Sequence, residues 1–153
     1  MLLALIKDLY WSSPRTTFAV NPLTVVLGEA LIRRRLAPDV RFLPLLAWGY
    51  LQYRLCGIYR SEAGGRGMQT MPDRLVTSGP YALCRNPMYL GHLIFSLGLV
   101  LVFRSPVALA LAALRAVYFG RRVARDEERL LQRFGDDYRA YQARVKRWLP
   151  GLF

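Results

Sequence analysis

The stretch RNPMYLG, residues 85–91, is a polar turn that carries a cation and runs directly into a long apolar segment. Asn86 is a favoured N-cap residue and Pro87 suits the first helical position, so the sequence predicts that a helix begins here. A helix N-terminus offers unpaired N–H groups and a partial positive charge, which favour an anion. The following segment is apolar up to Phe103, apart from His92 and one serine. The pattern indicates a place where a charged small molecule meets a hydrophobic one, although the same residues would also serve merely to start a helix.

The composition is both apolar and strongly basic. Hydrophobic residues make up 54% of the 153 residues, and the net charge is +12. This combination favours a membrane protein with cationic flanks, and membrane lipids as partners, over a protein that binds nucleic acid. A nucleic-acid binder would carry its basic residues on a soluble fold without long uncharged tracts. We therefore expect no nucleic-acid partner.

Two short features bear on cofactors and targeting. Cys56 and Cys84 show neither CxxC spacing nor a neighbouring histidine cluster, so no metal site and no disulfide framework is expected. Residues 1–11 carry Lys7 and Asp8 inside a short apolar run, which is not the pattern of a signal peptide. This segment is predicted to form a short interfacial helix.

Four apolar tracts follow along the chain, at residues 17–32, 42–59, 88–103 and 106–120. Each approaches the roughly 20 residues that a membrane-spanning helix requires. Ser105 as N-cap and Pro106 at the first helical position predict a helical hairpin between the third and fourth tracts. Small residues, including Gly91 and Gly98, should let its two helices approach closely. A soluble bundle is disfavoured because too few polar-faced helices remain to cover the apolar surface.

The fold prediction is an all-α integral membrane bundle of about four transmembrane helices with a cytosolic C-terminal helical tail. It forms one domain, with N-terminal helices (1–60), a cytosolic connector (61–87), a helical hairpin (88–125) and a cytosolic or interfacial tail (126–153). Arginines in the connector and the tail place both on the cytosolic side of the cytoplasmic membrane. The arginines at 33–35 and 41 oppose this rule, so whether the first tract crosses fully stays open. The oligomeric state is also left open.

The tail and the connector differ in pattern. From Leu130 to Trp148, apolar residues recur at three- and four-residue steps, which predicts an amphipathic helix broken at Gly135. The connector is glycine-rich, lacks helical periodicity and holds no Walker-type or GxGxxG phosphate loop. Three adjacent acids, residues 126–128, repel one another unless a cationic or hydroxylated group binds them. Four of the tail's arginines, Arg129, Arg133, Arg139 and Arg144, are expected to lie on a solvated face.

Three pieces of the second half of the chain carry a family resemblance. They are LVTSGPY at residues 75–81, RNPMYLG, and an acidic pair followed by Leu130, Phe134-Gly135, Tyr138 and Tyr141. Together they resemble the superfamily of isoprenylcysteine carboxyl methyltransferases and phospholipid methyltransferases, small helical membrane enzymes that use S-adenosylmethionine. The resemblance covers roughly residues 75–150. It implies a methyltransferase acting on a lipophilic acceptor, such as a prenylcysteine carboxylate, a phospholipid amine or a small hydrophobic molecule.

The resemblance also implies the site. Carried over by position, the residues that would bind S-adenosylmethionine are Tyr81, Ala82, Leu83, Cys84, Asn86, Tyr89, Ile94, Phe95, Ser96, Asp126 and Glu127. Arg85 joins them because, with the helix start, it suits the carboxylate of the donor. Arg122 matches the position associated with the lipophilic acceptor and is the candidate catalytic residue. Glu128 is interpreted as a surplus neighbour.

Two departures from the family pattern affect the chemistry. The family often has histidine where this chain has Asn86, and glutamate where it has Asp126. Asparagine keeps a donor but cannot titrate, and aspartate keeps the charge with a shorter reach. Both changes preserve binding more clearly than proton transfer. His92 could assist an amine acceptor, but a packed polar residue is the favoured interpretation.

Two other functions remain as alternatives. One is a membrane reductase that uses NADPH, since sterol reductases resemble this arrangement of C-terminal helices. The other is a non-enzymatic basic membrane module that binds anionic lipid or a partner helix. The acidic pair and the RNPMYLG stretch favour the methyl donor over both.

Overall fold

The structure is a computed structural model that describes residues 13–33, 37–67 and 70–148. These residues form helices and turns without any strand, which confirms the all-α prediction. The interfacial helix predicted for residues 1–11 lies outside the described residues.

The first helical segment, α1, changes its winding three times. It comprises α-helical Ser13–Arg15, π-helical Thr16–Val20, α-helical Asn21–Gly28 and π-helical Glu29–Arg33. The first π turn directly precedes Pro22, whose ring would clash with the carbonyl of Phe18 in a regular α-turn and which has no N–H to donate. The wider turn relieves this clash, because Asn21 N–H instead bonds the carbonyl of Thr16.

The second helix, α2, spans Leu43–Gly64 and follows a 3₁₀ turn at Val40–Phe42. It continues five residues beyond the predicted end of the second tract, so the connector predicted to begin at residue 61 begins only after Gly64. Gly65 then adopts a left-handed conformation with φ 80°, which is a common way to end a helix. The predicted boundary was wrong because Arg60 and Glu62 interrupt the apolar tract without interrupting the helix.

The third and fourth helices begin where the sequence predicted. Helix α3 spans Pro87–Phe103 and helix α4 spans Pro106–Arg144. Between them, Ser105 Oγ accepts a hydrogen bond from Ala108 N at 3.2 Å, which confirms the predicted cap. Gly135 has φ 50° and ψ −121°, so α4 is broken at the predicted residue.

The chain divides into two compact units: unit 1 contains residues 1–50 and 91–116, and unit 2 contains residues 51–90 and 117–153. The core of unit 1 is formed by Val25, Phe95, Leu99 and Ala108. The single-domain organisation given above stays a prediction.

Within unit 1, α2 and α3 approach each other at glycines. A Cβ atom on Gly49 would lie 2.5 Å from Phe95 N and 2.7 Å from Gly91 O, and one on Gly98 would lie 2.8 Å from a methyl carbon of Leu46. Gly91 and Gly98 therefore lie against α2, whereas the sequence predicted that they pack between α3 and α4. The reason is that Gly49 supplies the second side-chain-free surface that so close an approach requires.

Unit 1 also buries polar side chains. His92 is 1% exposed and stacks on Phe18 with ring centroids 4.7 Å apart, and Ser96 donates a hydrogen bond to the carbonyl of His92 at 2.9 Å. This packing agrees with the favoured interpretation of His92. Glu29 and Arg115 are buried in the same unit.

Among the described residues, we find no helix that combines the length and the apolar composition needed to cross a membrane. The four transmembrane helices therefore stay a prediction.

Candidate functional site

The turn that leads into α3 is fixed by close packing within unit 2. A 3₁₀ turn at Gly79–Ala82 precedes α3, and Gly79 has φ 57°. A Cβ atom there would lie 2.6 Å from the ring of Tyr59, whose hydroxyl is hydrogen-bonded to Ser78 Oγ at 2.8 Å. Glycine is therefore required here both by conformation and by space. Tyr81 is buried, and its carbonyl accepts a hydrogen bond from Tyr141 OH at 2.6 Å.

A buried carboxylate joins the RNPMYLG stretch to α4. Glu127 Oε1 accepts hydrogen bonds from Arg85 Nε and Asn86 Nδ2, both at 3.0 Å. Its Oε2 accepts from Arg85 Nη2 at 3.3 Å and from Arg147 Nε and Nη2 at 3.1 and 2.8 Å. We call these four residues, Arg85, Asn86, Glu127 and Arg147, the Glu127 cluster. Three of the positions predicted from sequence to bind one ligand, Arg85, Asn86 and Glu127, are thus bonded to each other directly.

The electrostatics of this cluster favour an ionised Glu127. Burial alone would raise the pKa of the carboxyl group, but hydrogen bonds from Arg85 and Arg147 outweigh burial and lower the pKa below its usual value. Charge-assisted, forked hydrogen bonds of this kind are among the strongest in proteins. The carboxylate therefore stays charged inside the protein.

Arg85 also holds the end of α4 and the residues after it. Its Nη1 donates to the carbonyls of Gln142 and Val145 at 3.3 and 2.6 Å, and its backbone N–H donates to Lys146 O at 3.0 Å. These carbonyls lie at the C-terminal end of a helix, where no intrahelical donor remains and a cation is favoured. Arg85 is therefore both a partner of Glu127 and a cap for α4.

The neighbouring acid forms a separate and more open cluster. Asp126 Oδ2 accepts hydrogen bonds from Tyr89 OH at 2.6 Å and from Arg122 Nε at 3.1 Å. Arg129 pairs with Oδ1 at 3.6 Å. The Asp126 side chain is 23% exposed, against 5% for Glu127. We call Tyr89, Arg122, Asp126 and Arg129 the Asp126 cluster.

The remaining predicted residues fall into two groups. In unit 2, Cys84 is buried and its Sγ lies 3.4 Å from Arg147 O, whereas Ala82 and Leu83 are exposed. In unit 1, Phe95 belongs to the core and Ile94 is half-buried, and the hydroxyl of Ser96 bonds its own helix. A role of these residues in binding the methyl donor stays a prediction.

Arg147 was not among the residues that the sequence predicted for the site. The residue lies 20 positions after Glu127 and was treated only as one of many basic residues in the tail. No spacing rule connects it to RNPMYLG, because the contact depends on how the chain turns after Arg144. By contrast, Glu128 is exposed, which agrees with its interpretation as a surplus neighbour.

The fold and the two clusters define a class: a small all-helical protein in which the start of one helix is fastened to an acidic stretch of the next. The sequence profile of the phospholipid methyltransferase family matches residues 45–137. The chain belongs to this family, as the sequence resemblance indicated. The matched residues include both clusters except Arg147.

Curated relatives agree with this assignment over part of their length. Protein-S-isoprenylcysteine O-methyltransferase of Mus musculus is 39% identical over 77 residues, which cover 50% of this chain and 27% of the relative. Methanethiol S-methyltransferase 1 of Bradyrhizobium diazoefficiens is 30% identical over 102 residues, covering 64% and 34%. The cobalt-zinc-cadmium resistance protein CzcN of Cupriavidus metallidurans is 36% identical over 97 residues, covering 63% and 42%. The chain thus matches less than half the length of each of these relatives.

Proposed function

We propose that this chain is an S-adenosylmethionine-dependent methyltransferase that acts on a lipophilic acceptor at a membrane. One observation carries the proposal: the start of α3 and the acidic stretch of α4 meet through Tyr89–Asp126 at 2.6 Å and Asn86–Glu127 at 3.0 Å. The family resemblance assigns the methyl donor to these two regions. Methyltransferase names among the relatives support the same reaction class.

The donor groups of the site fit S-adenosylmethionine. The partly exposed carboxylate of Asp126 could accept hydrogen bonds from a ribose diol or an ammonium group. The N-terminus of α3 carries the partial positive charge of a helix start, which favours a carboxylate. Tyr89, whose ring also packs against Phe119 at 5.3 Å, offers an aromatic face to the adenine or the sulfonium. S-adenosylmethionine, when bound, supplies a methyl group already activated by positive sulfur.

The contribution of the protein would then be alignment and exclusion of water. Holding two reactants in line is worth up to about 7–11 kcal/mol, so no strong acid or base is demanded of the chain. Arg122, whose side chain is 40% exposed and whose Nε bonds Asp126, would pair with the polar end of an acceptor. A carboxylate acceptor brings no proton to remove, whereas an amine or thiol must lose one to solvent or to a side chain.

The proposed membrane location rests on exposed apolar side chains. On α1, Leu23, Leu27 and Leu31 are 59%, 50% and 77% exposed, and their four-residue spacing places them along one face. On α4, Leu109 and Leu114 are 59% and 61% exposed. Apolar surface of this extent is typical of contact with lipid or another protein. The basic tail supports a location of the site on the cytosolic side.

The nature of the acceptor stays open among three chemical types. A prenylcysteine carboxylate, a phospholipid amine and a small thiol or other hydrophobic molecule all suit a cationic, membrane-facing site. The relatives named above act, by their names, on a prenylated cysteine and on methanethiol.

Two measurements test the proposed function. Calorimetry on detergent-purified protein should show that S-adenosylhomocysteine binds and that NADPH does not. Membranes containing the protein, supplied with methyl-labelled donor, should then transfer label to a lipophilic fraction. Binding of NADPH alone would favour the reductase, and binding of neither would favour a non-enzymatic module.

A further inference from the structure

We propose that the Glu127–Arg147 ion pair is a receptor for a zwitterionic α-amino acid group, in which Arg147 takes the carboxylate and Glu127 the ammonium. The inference rests on the proposed function, because the methionine end of the methyl donor carries such a group. It assigns a ligand-binding role to Arg147, which lies outside the residues matched by the family profile.

The carboxylate of Glu127 has no hydrogen-bonding capacity left for another donor. Five hydrogen bonds reach its two oxygens, two on Oε1 and three on Oε2. A carboxylate offers about four lone-pair sites. An ammonium group can therefore reach Glu127 only by replacing one of its present partners.

Among the partners of Glu127, Arg147 is the one that can be replaced. The Arg85 side chain is 10% exposed and is also held by two backbone carbonyls. Asn86 is buried and begins α3. The Arg147 side chain is 43% exposed, and among the described residues its hydrogen bonds go to Glu127. Arg147 is thus the donor that moves away at the lowest cost.

Arg147 would stay close to Glu127 after its side chain moves away. Its backbone carbonyl accepts hydrogen bonds from Cys84 Sγ at 3.4 Å and Asn86 Nδ2 at 3.3 Å, so its main chain is fixed beside the cluster. Rotation of its side chain would leave the guanidinium within reach of a carboxylate bound next to Glu127. Guanidinium and carboxylate groups match in a forked geometry.

The net charge of the Glu127 cluster also favours a zwitterionic ligand. The Glu127 cluster contains two guanidinium groups and one carboxylate, which leaves one positive charge in excess. Insertion of an ammonium and a carboxylate replaces one ion pair by two, and the added carboxylate faces the excess charge. A hydrophobic or purely cationic ligand would not be favoured in this way.

The test compares two probes that differ only in the carboxylate. Calorimetry is carried out on full-length protein with S-adenosylhomocysteine and with its decarboxylated analogue, which keeps the ammonium group. We expect the wild type to prefer S-adenosylhomocysteine by at least about tenfold, since a hydrogen bond to a charged group is worth that much or more. In Arg147→Gln the preference should fall to about twofold or less. Because the readout is a ratio, it does not depend on the net change in affinity.

Controls separate this role from a structural one. Arg139→Gln removes an exposed arginine of α4 that is paired with Asp136 at 2.7 Å, and this variant should keep the full preference. If Arg147→Gln fails to fold, Arg147→Lys keeps the charge without the fork, and its preference should fall by about threefold. A preference unchanged in the Arg147 variants, or absent in the wild type, overturns the inference. Failure of both probes to bind wild-type protein instead overturns the proposed function.

Discussion

Asp126 and Glu127 are neighbours on α4, yet their surroundings differ sharply. Successive residues on a helix point about 100° apart, so the two carboxylates enter different environments. Glu127 is enclosed by Arg85, Asn86 and Arg147, whereas Asp126 remains partly open beside Tyr89 and Arg122. Two adjacent acids that are recognised as one motif can therefore have different roles. Glu127 can meet a ligand only by exchanging one of the partners that hold it, whereas Asp126 is already partly open to one.

Loss of the charge at Glu127 should have the largest effect on stability. Glu127→Gln leaves two guanidinium groups facing a neutral amide, and removing one partner from a buried pair costs about 3–5 kcal/mol. Asp126→Asn, at a more exposed ion pair, should cost about 1 kcal/mol or less. Denaturant unfolding of both variants in detergent measures the difference. Equal losses would remove the distinction between the two clusters.

Removal of Arg85 should release the end of the chain. Arg85→Ala abolishes its bonds to the carbonyls of Gln142 and Val145, while Glu127 keeps Arg147. We expect a loss of about 2–3 kcal/mol in unfolding free energy and faster proteolysis within residues 142–148. Arg144→Ala, whose side chain bonds a carbonyl in its own helix turn, is the matched control. Unchanged cleavage in Arg85→Ala would show that the capping is not needed.

Acidification should weaken the Glu127 cluster. Because the pKa of Glu127 is lowered in the folded protein, its contribution to stability is present above the unfolded value of about 4.5 and is lost as the pH falls through the folded value. Wild-type protein should therefore lose stability below about pH 4.5 more steeply than Glu127→Gln, in which the group cannot titrate. Thermal unfolding across this range gives the two slopes. Parallel slopes would mean that the pKa of Glu127 is not lowered.

Removal of the Tyr89 hydroxyl should have the smallest effect. Tyr89→Phe deletes the 2.6 Å hydrogen bond to Asp126 but leaves Arg122 on the same oxygen. The expected loss is about 0.5–1.5 kcal/mol, the usual net value of one hydrogen bond. Tyr50→Phe, at a side chain that is 45% exposed, is the control. A loss several times larger would mean that the Asp126 cluster is as structural as the Glu127 cluster.

Local signals predicted much of the fold. Asn86-Pro87 and Ser105-Pro106 marked the starts of α3 and α4, and Gly135 marked the break, because cap residues, proline and glycine act within a few residues of themselves. Two features of the fold were not predicted from these local signals. The close approach of α2 and α3 depends on Gly49 facing Gly91, and the π turn before Pro22 depends on how one carbonyl avoids the ring.

The site was predicted only in outline. The family motif placed Asn86, Tyr89, Asp126 and Glu127 near one another, and the structure joins them in two pairs. The motif did not predict which of the two acids is buried, because the burial of Glu127 depends on the residues that follow Arg144. Arg147 carries no sequence signal of its own, because a single arginine among many basic residues has no distinguishing spacing.

Titration of S-adenosylhomocysteine into wild-type protein, Asp126→Asn and Glu128→Gln tests the division between the two acids most directly. The two variants each remove one negative charge from α4 at positions two residues apart, and Glu128 is exposed. We predict that Asp126→Asn weakens binding by at least about tenfold, the value of a hydrogen bond to a charged group, and that Glu128→Gln stays within about twofold. Wild-type affinity in Asp126→Asn would contradict the account.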